Sequence, residues 1–97
     1  MKNLSINDLN NGVEMKLIAT IQLDNDLGKG TIFYRYEEND YFSDRKKAYV
    51  IYVLLPSGEV IDPAVAPQRN IPDVFEAITL CWYDPSRKLE FIQHLPY

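Results

Sequence analysis

Residues 13–23, VEMKLIATIQL, decide the fold class of this chain. Apolar and polar side chains alternate along them with a period of two residues, which is typical of a β-strand that buries one face. The alternation predicts one apolar face made of Val13, Met15, Leu17, Ala19, Ile21 and Leu23. The opposite face is predicted to carry Glu14, Lys16, Ile18, Thr20 and Gln22. This strand is predicted to be half-buried in a sheet, and the residues that follow supply neighbours for it.

Three more β-type segments follow in the first two thirds of the chain. The loop DNDLGKG at residues 24–30 has turn-forming composition, and residues 31–37 resume β-type side chains, which predicts a hairpin. Residues 47–55, KAYVIYVLL, are apolar on both faces, as expected for a strand in the middle of a covered sheet. After the turn PSGE, Val60 and Ile61 are predicted to pair back briefly.

The last third of the chain combines helix and strand patterns. Asn70 is suited to cap a short helix that begins near Pro72, and a strand starting at Val74 is the alternative. We expect one or two helical turns that give way to a strand near Thr79. Residues 79–83 and 88–94 flank the turn sequence DPSR, which predicts a C-terminal hairpin. Near the start of the chain, Ser5 is suited to cap a single helical turn over residues 5–12.

The resulting fold class is α+β: a single antiparallel, meander-like sheet of about five strands with one or two short helices. At 97 residues the chain is predicted to form one globular domain, residues 1–97. No apolar run approaches the roughly 20 residues that span a bilayer, so no membrane association is predicted. The start MKNLSINDLNNG does not resemble a secretory signal, and the single cysteine is atypical of a small secreted domain. We therefore predict a cytoplasmic protein.

The charge of the chain is mildly acidic. There are 14 Asp and Glu against 10 Lys and Arg, which gives a net charge of −4 and an isoelectric point of about 4.8. Proteins that bind the phosphate backbone are normally basic, so direct nucleic-acid binding is disfavoured.

The residue types needed for catalysis or metal binding do not form a recognisable set. In the predicted C-terminal hairpin Cys81 lies opposite Glu90, which puts His94 about 13 Å away at roughly 3.3 Å per residue. A Cys-His nucleophile and base pair is excluded at that distance, and Cys81 is predicted to be a small buried apolar residue. One Cys and one His cannot complete a zinc site, and residues 24–35 lack the Gly and Glu positions of a calcium loop. We predict no catalytic residue, no metal and no cofactor.

Residues 34–47, YRYEENDYFSDRKK, form the most unusual segment. Four carboxylates surround a Tyr-Phe pair, and three cations follow at once. One interpretation is a solvated connection whose two rings fold back onto the sheet edge. The other is an exposed aromatic anchor inside an acidic rim, since aromatic residues dominate the energetic centres of protein interfaces. The residues predicted to bind a partner are Glu37, Glu38, Asp40, Tyr41, Phe42 and Asp44.

Two functional hypotheses from different classes follow. The first is a small, acidic, non-enzymatic protein that binds a macromolecule as an inhibitor, an immunity or anti-defence protein, or a regulatory adaptor. Its partner would be a protein, such as a toxin or a nucleic-acid-processing enzyme, because an acidic aromatic surface suits a basic cleft. The alternative is a small-molecule-binding or enzymatic α+β domain with a pocket between sheet and helix. A homodimer is compatible with both, since the long first strand is a candidate sheet edge.

Overall fold

Six antiparallel strands form one sheet in the part of the chain that the computed structural model describes, residues 2–5, 15–24 and 26–94. The strands are β1 (Lys2–Ser5), β2 (Met15–Gln22), β3 (Lys29–Glu38), β4 (Lys47–Leu54), β5 (Glu59–Asp62) and β6 (Glu90–Phe91). Their order across the sheet is β1-β5-β4-β3-β2-β6. Strands β2 to β5 are a meander, and β1 and β6 extend it on its two sides. The predicted α+β class is confirmed, with six strands in the described residues rather than five.

The meander follows the hairpins that the sequence predicts. Strands β3 and β4 pair from Thr31 opposite Leu54 to Glu38 opposite Lys47. The loop before β3 closes with a hydrogen bond from the Leu23 N–H to the Gly28 carbonyl at 2.8 Å, and Gly28 has a φ of 84°. That left-handed conformation favours glycine, which is the reason for glycine in this turn. The short return strand is also confirmed as β5, which pairs with the end of β4.

Strand β1 carries no β pattern in its own four residues. It is held by pairing with β5, in a register that places Ser5 opposite Glu59. Ser5, the predicted cap of a helical turn, is thus the last residue of a strand. Residues 6–12, which would form that turn, lie outside the described residues.

A β-bulge in β2 divides its apolar residues between the two faces of the sheet. Leu17 and Ala19 pair with consecutive residues of β3, which leaves Ile18 as the extra residue. Met15, before the bulge, packs on one face of the sheet, and Ile21, after it, packs on the other. The prediction that these residues share one face is wrong, because one inserted residue reverses the direction of every side chain beyond it. Val13 lies outside the described residues.

The bulge also decides which side chains of β2 are buried. Ile18, predicted on the polar face, is completely buried, whereas Leu17, predicted on the apolar face, is 38% exposed. The Ile18 carbonyl accepts hydrogen bonds from the backbone N–H groups of Ile92 and Gln93, at 2.8 and 3.2 Å. The extra residue therefore contributes a core side chain and also anchors the chain that follows β6.

The helix α1 (Ile71–Cys81) is longer than the sequence predicts. Its apolar residues Val74 and Ile78 are fully buried against the sheet, and Trp82, directly after the helix, continues the same spacing into the core. The predicted strand near Thr79 is wrong. Residues 79–83 have β-type side chains, but the four-residue spacing of the buried side chains outweighs that local preference. Among the described residues, no helix is both long enough and apolar enough to cross a lipid bilayer.

The predicted cap of this helix is confirmed. The Asn70 side-chain oxygen Oδ1 accepts a hydrogen bond from the Asp73 N–H at 2.9 Å, and Pro72 stands in the first turn. We expect Asn70→Ala to lower the free energy of unfolding by about 1 kcal/mol, because one helix N–H loses its acceptor. Asn70→Asp is the control, since aspartate keeps the acceptor and adds a negative charge that the helix N-terminus favours. Urea unfolding of the three proteins measures the difference, and equal losses in both variants would contradict the capping role.

The predicted C-terminal hairpin is wrong. Residues 85–87 form a 3₁₀ turn capped by Asp84, whose Oδ1 accepts from the Ser86 N–H at 3.0 Å. Lys88 then has a φ of 50°, a left-handed conformation that ends any extended run. Beyond it, β6 pairs with β2 at Ala19 and Thr20, not with residues 79–83, because those residues belong to α1.

The sheet has one face covered by α1, named here the helix face, and an opposite one, named the second face. On the helix face the buried side chains include Ile32, Tyr34 and Ile51. On the second face Phe33 stacks on Tyr52 with ring centroids 5.5 Å apart, in a cluster that also contains Val50 and Val60. Side chains alternate between these faces along β3, and this alternation distributes the residues of the candidate site.

Candidate partner-binding site

The connection between β3 and β4, residues 39–46, is named here the hairpin tip. It closes with a hydrogen bond from the Asn39 N–H to the Lys46 carbonyl at 2.8 Å. Inside it the Asn39 side chain accepts from the Tyr41 N–H at 2.8 Å, the Asx-turn arrangement in which asparagine substitutes for a backbone acceptor. The turn chemistry of its own residues therefore gives the hairpin tip a defined conformation.

Tyr41 and Phe42 are placed differently within the hairpin tip. Tyr41 is 61% exposed, while Phe42 is half-buried. Their rings meet edge to face, with centroids 5.0 Å apart and planes 87° apart. The guanidinium of Arg69 lies over the Phe42 ring, 4.4 Å from its centroid. Phe42 is thus held between Tyr41 and Arg69, and Tyr41 projects outward from this support.

Arg69 ties the hairpin tip to the segment that leads into α1. Besides covering Phe42, it pairs with the Asp44 carboxylate at 2.5 Å, and its carbonyl accepts a hydrogen bond from Arg45 Nη1 at 3.0 Å. The hydrogen bond from Arg69 lowers the pKa of the Asp44 carboxyl below its usual value, and the Arg69 charge acts in the same direction. Next to Arg69, Gln68 exchanges two backbone hydrogen bonds with Tyr49 of β4, at 2.9 and 2.8 Å.

The structure does not gather the four predicted carboxylates into one rim. Glu37 lies on the second face, where it accepts a hydrogen bond from the Tyr52 hydroxyl. Glu38 lies on the helix face opposite Lys47, and Asp44 is paired with Arg69. Asp40 is exposed in the hairpin tip. The predicted set therefore separates into an aromatic centre with Glu38 and Asp40 beside it, and two carboxylates bound to other groups of the chain.

A concavity of about 680 Å³ opens beside the hairpin tip. Its lining residues are Glu38, Asn39, Asp40, Phe42, Ser43, Arg45 and Lys46. Two carboxylates and two cations border it, so its charges balance, and it differs from the acidic rim expected from the sequence. The hairpin tip thus presents an aromatic projection with charges of both signs around it.

A cluster of tyrosines from β3 and β4 lies on the helix face. Tyr36 is 43% exposed and packs on Tyr49, with ring centroids 4.6 Å apart; Tyr34 meets Tyr49 edge-on and is buried. The Lys47 ammonium lies 5.8 Å from the centroid of the Tyr36 ring. The density of tyrosines in residues 34–52 is visible in the sequence, but their exposure follows from which face of the sheet each one occupies.

The buried Tyr52 gives a pH-dependent prediction. Burial is the largest cause that raises the pKa of its phenol, and the Glu37 carboxylate raises it further. In unfolded chains tyrosine ionises near pH 10. Above that pH the unfolded state binds fewer protons than the folded state, so stability falls as pH rises, by up to about 1.4 kcal/mol per pH unit. We expect urea unfolding at pH 9, 10 and about 11 to show a smaller fall for Tyr52→Phe than for wild type.

The control for this prediction is Tyr83→Phe, because the Tyr83 side chain is 78% exposed and stays in contact with solvent in the folded protein. We expect Tyr83→Phe to keep the wild-type pH dependence. A Tyr52→Phe curve that runs parallel to wild type across this window would show that the Tyr52 phenol does not contribute to it.

The structure places the two residues considered for catalysis on different elements: Cys81 ends α1, and His94 follows β6. Cys81 is exposed at the end of α1, so the prediction that it is buried is wrong; its position on the outer side of a helix, rather than in a strand, is the reason. Partial desolvation nevertheless raises the pKa of the Cys81 thiol, which lowers its thiolate fraction. Within the described ranges, no three His, Cys, Asp or Glu residues are grouped so that they could hold a metal ion.

Sequence reasoning missed Arg69, the residue that supports Phe42. It stands 25 positions after Asp44 in a proline-punctuated segment, and nothing local connects it with the hairpin tip. Comparisons of the chain with protein-family models, with curated proteins and with solved structures found no match.

Proposed function

We propose that this chain is a small non-enzymatic protein that binds a protein partner through its hairpin tip. The observation that carries the proposal is the exposed Tyr41 ring on a fixed support: Phe42 below it, and Arg69 below Phe42. A rigid aromatic projection loses little conformational entropy on binding, and interfaces concentrate their energy in such side chains.

The charges around the ring suggest how a partner would be oriented. The carboxylates of Glu38 and Asp40 and the cations of Arg45 and Lys46 all border the concavity. Charge pairs at the rim of an interface chiefly select and orient the partner, while the central aromatic contact supplies the affinity. Binding of this kind would inhibit or recruit the partner by occlusion, consistent with an inhibitor, an immunity or anti-defence protein, or an adaptor.

Site-specific photo-cross-linking in lysate of the source organism tests this proposal. A photoreactive phenylalanine analogue replaces Tyr41 in one variant and Tyr83 in another, because Tyr83 is an exposed tyrosine outside the hairpin tip. We expect a discrete cross-linked protein from position 41 that is absent at position 83. The same products from both positions, or none from position 41 in a folded variant, would overturn the proposal.

A further inference from the structure

A second surface, independent of the hairpin tip, lies between α1 and β6. The groove there, named the α1–β6 groove, has a volume of about 580 Å³ and is bordered by Pro72, Phe75, Glu76, Leu80, Phe91 and His94. Phe75 and Phe91 stack across it, with ring centroids 5.4 Å apart and planes 20° apart. The helix and the edge strand thus meet through an aromatic pair, and the groove runs along this contact.

Most of the surface of the groove is apolar. Leu80 is 65% exposed, and the Thr79 hydroxyl donates to the Phe75 carbonyl at 2.9 Å, so it is already used within the helix. A large aliphatic side chain left in water beside an aromatic pair is unfavourable unless something covers it. Contiguous apolar surface of this kind, with polar residues around it, marks interaction sites in soluble proteins.

The flank of the groove is acidic. Glu76 and Leu80 border both the groove and a smaller concavity of about 260 Å³, which Asp73 also borders. No Lys or Arg borders either concavity. Among the ion pairs formed within the described residues, none includes Asp73 or Glu76. Two carboxylates that form no ion pair within the described residues therefore border the same concavity as the exposed Leu80.

The shape of the groove distinguishes between occupants. Small-molecule sites enclose most of the ligand, about 70–90% of its surface. Here the outer wall is the exposed ridge of α1 at Glu76 and Leu80, and the opposite wall is the two-residue strand β6. An open groove with one apolar line and one acidic flank suits an amphipathic segment, with apolar side chains in the groove and cations beside the carboxylates.

We propose that the α1–β6 groove binds a basic amphipathic segment of a protein partner. Apolar side chains of the segment lie on Phe75, Leu80 and Phe91, and its Lys or Arg side chains meet Glu76 and Asp73. This site does not depend on the hairpin tip, and the two surfaces are separate: no residue borders both concavities.

The test is an NMR titration of the isotope-labelled protein with synthetic peptides about 11 residues long, three helical turns. One peptide is an amphipathic helix of Leu and Lys, and its counterpart replaces each Lys with Glu. We expect the Leu-Lys peptide to shift the backbone signals of residues 72–80 and 91–94. The Leu-Glu peptide should bind at least about tenfold more weakly, since like charges would then face each other across the interface.

Two variants test whether the Leu-Lys peptide binds in the α1–β6 groove. Leu80→Ser should weaken binding of the Leu-Lys peptide about thirtyfold, as expected for an aliphatic anchor at the centre of a contact. Glu76→Lys should remove most of the preference for the Leu-Lys peptide, because the introduced cation offsets the remaining Asp73 carboxylate. Glu76 is exposed, so the fold is retained, which circular dichroism checks. Both outcomes would support the groove as the binding site.

Other results would overturn the inference. Absence of shifts with the Leu-Lys peptide, equal binding of both peptides, or shifts confined to residues 39–46 would each do so. A parallel titration with n-butylbenzene, an uncharged apolar probe, tests the remaining alternative, which is that the groove binds a small molecule. Saturable shifts of the groove signals with this probe, and none with the peptide, would identify a small-molecule site instead.

Discussion

Ile18→Ala is expected to lower the free energy of unfolding by about 2–5 kcal/mol, whereas Leu17→Ala should cost about 1 kcal/mol or less. Ile18 is completely buried as the extra residue of the bulge, while Leu17 is 38% exposed. Truncating a buried isoleucine removes its transfer free energy and also leaves a cavity. For a domain whose total stability is typically about 5–15 kcal/mol, the first loss is large.

This pair of variants distinguishes the bulge from a regular strand. Regular alternation over residues 13–23 would bury Leu17 and expose Ile18, which predicts the opposite order of effects. Urea unfolding monitored by Trp82 fluorescence gives both values under the same conditions, since Trp82 packs in the same core cluster as Ile18. A larger loss for Leu17→Ala than for Ile18→Ala would contradict the register described for β2.

Under the function proposed for the hairpin tip, Tyr41→Ser is expected to weaken binding of the protein partner by about 2 kcal/mol or more, roughly thirtyfold in the dissociation constant. Its ring is 61% exposed on the support formed by Phe42 and Arg69, so truncation removes the projecting contact and leaves the Arg69 guanidinium over the Phe42 ring. The measurement is isothermal titration calorimetry. The titrant is a separately purified sample of the protein that cross-linking at position 41 identifies.

Tyr83→Ser provides the matched control. Tyr83 is 78% exposed, so both substitutions remove an exposed phenol, and both proteins should unfold within about 0.5 kcal/mol of wild type. We expect Tyr83→Ser to bind the partner as wild type does. Equal loss of affinity in the two variants would indicate a general effect of removing surface tyrosines, and an unfolded Tyr41→Ser would place the ring in the core.

The sequence predicts correctly those parts of the fold that depend on residues close to one another along the chain. The Asn70 cap, the glycine-containing turn before β3 and the antiparallel pairing of β3 with β4 all follow from residues close in the sequence. Such features form because the hydrogen bond or backbone conformation is available to the segment itself. Strand β1 could not be predicted, because its pairing with β5 joins residues more than fifty positions apart.

The candidate site was also only partly predictable from the sequence, because contacts with distant residues shape it. The sequence predicts Tyr41, Phe42 and four carboxylates in one connection between strands. The structure keeps Tyr41 and Phe42 there with Asp40 and Asp44, whereas Glu37 and Glu38 are the last residues of β3. Their environments differ, however: Glu37 is bound by Tyr52, and Asp44 by Arg69. Which carboxylates remain available to a partner depends on the alternation of faces along β3 and on an arginine from a distant segment. Neither is visible in residues 34–47 alone.

The amino-acid sequence by itself determined an antiparallel α+β architecture, the position of the helix start and an aromatic segment between two strands. Periodicity and capping residues act within a few positions, so these features can be derived without the rest of the chain. Only the tertiary structure decided that Ile18 enters the core, that α1 continues to Cys81 and that Arg69 supports the hairpin tip. Each of these results from packing against residues far along the chain, where burial of apolar surface and pairing of charges outweigh local preference.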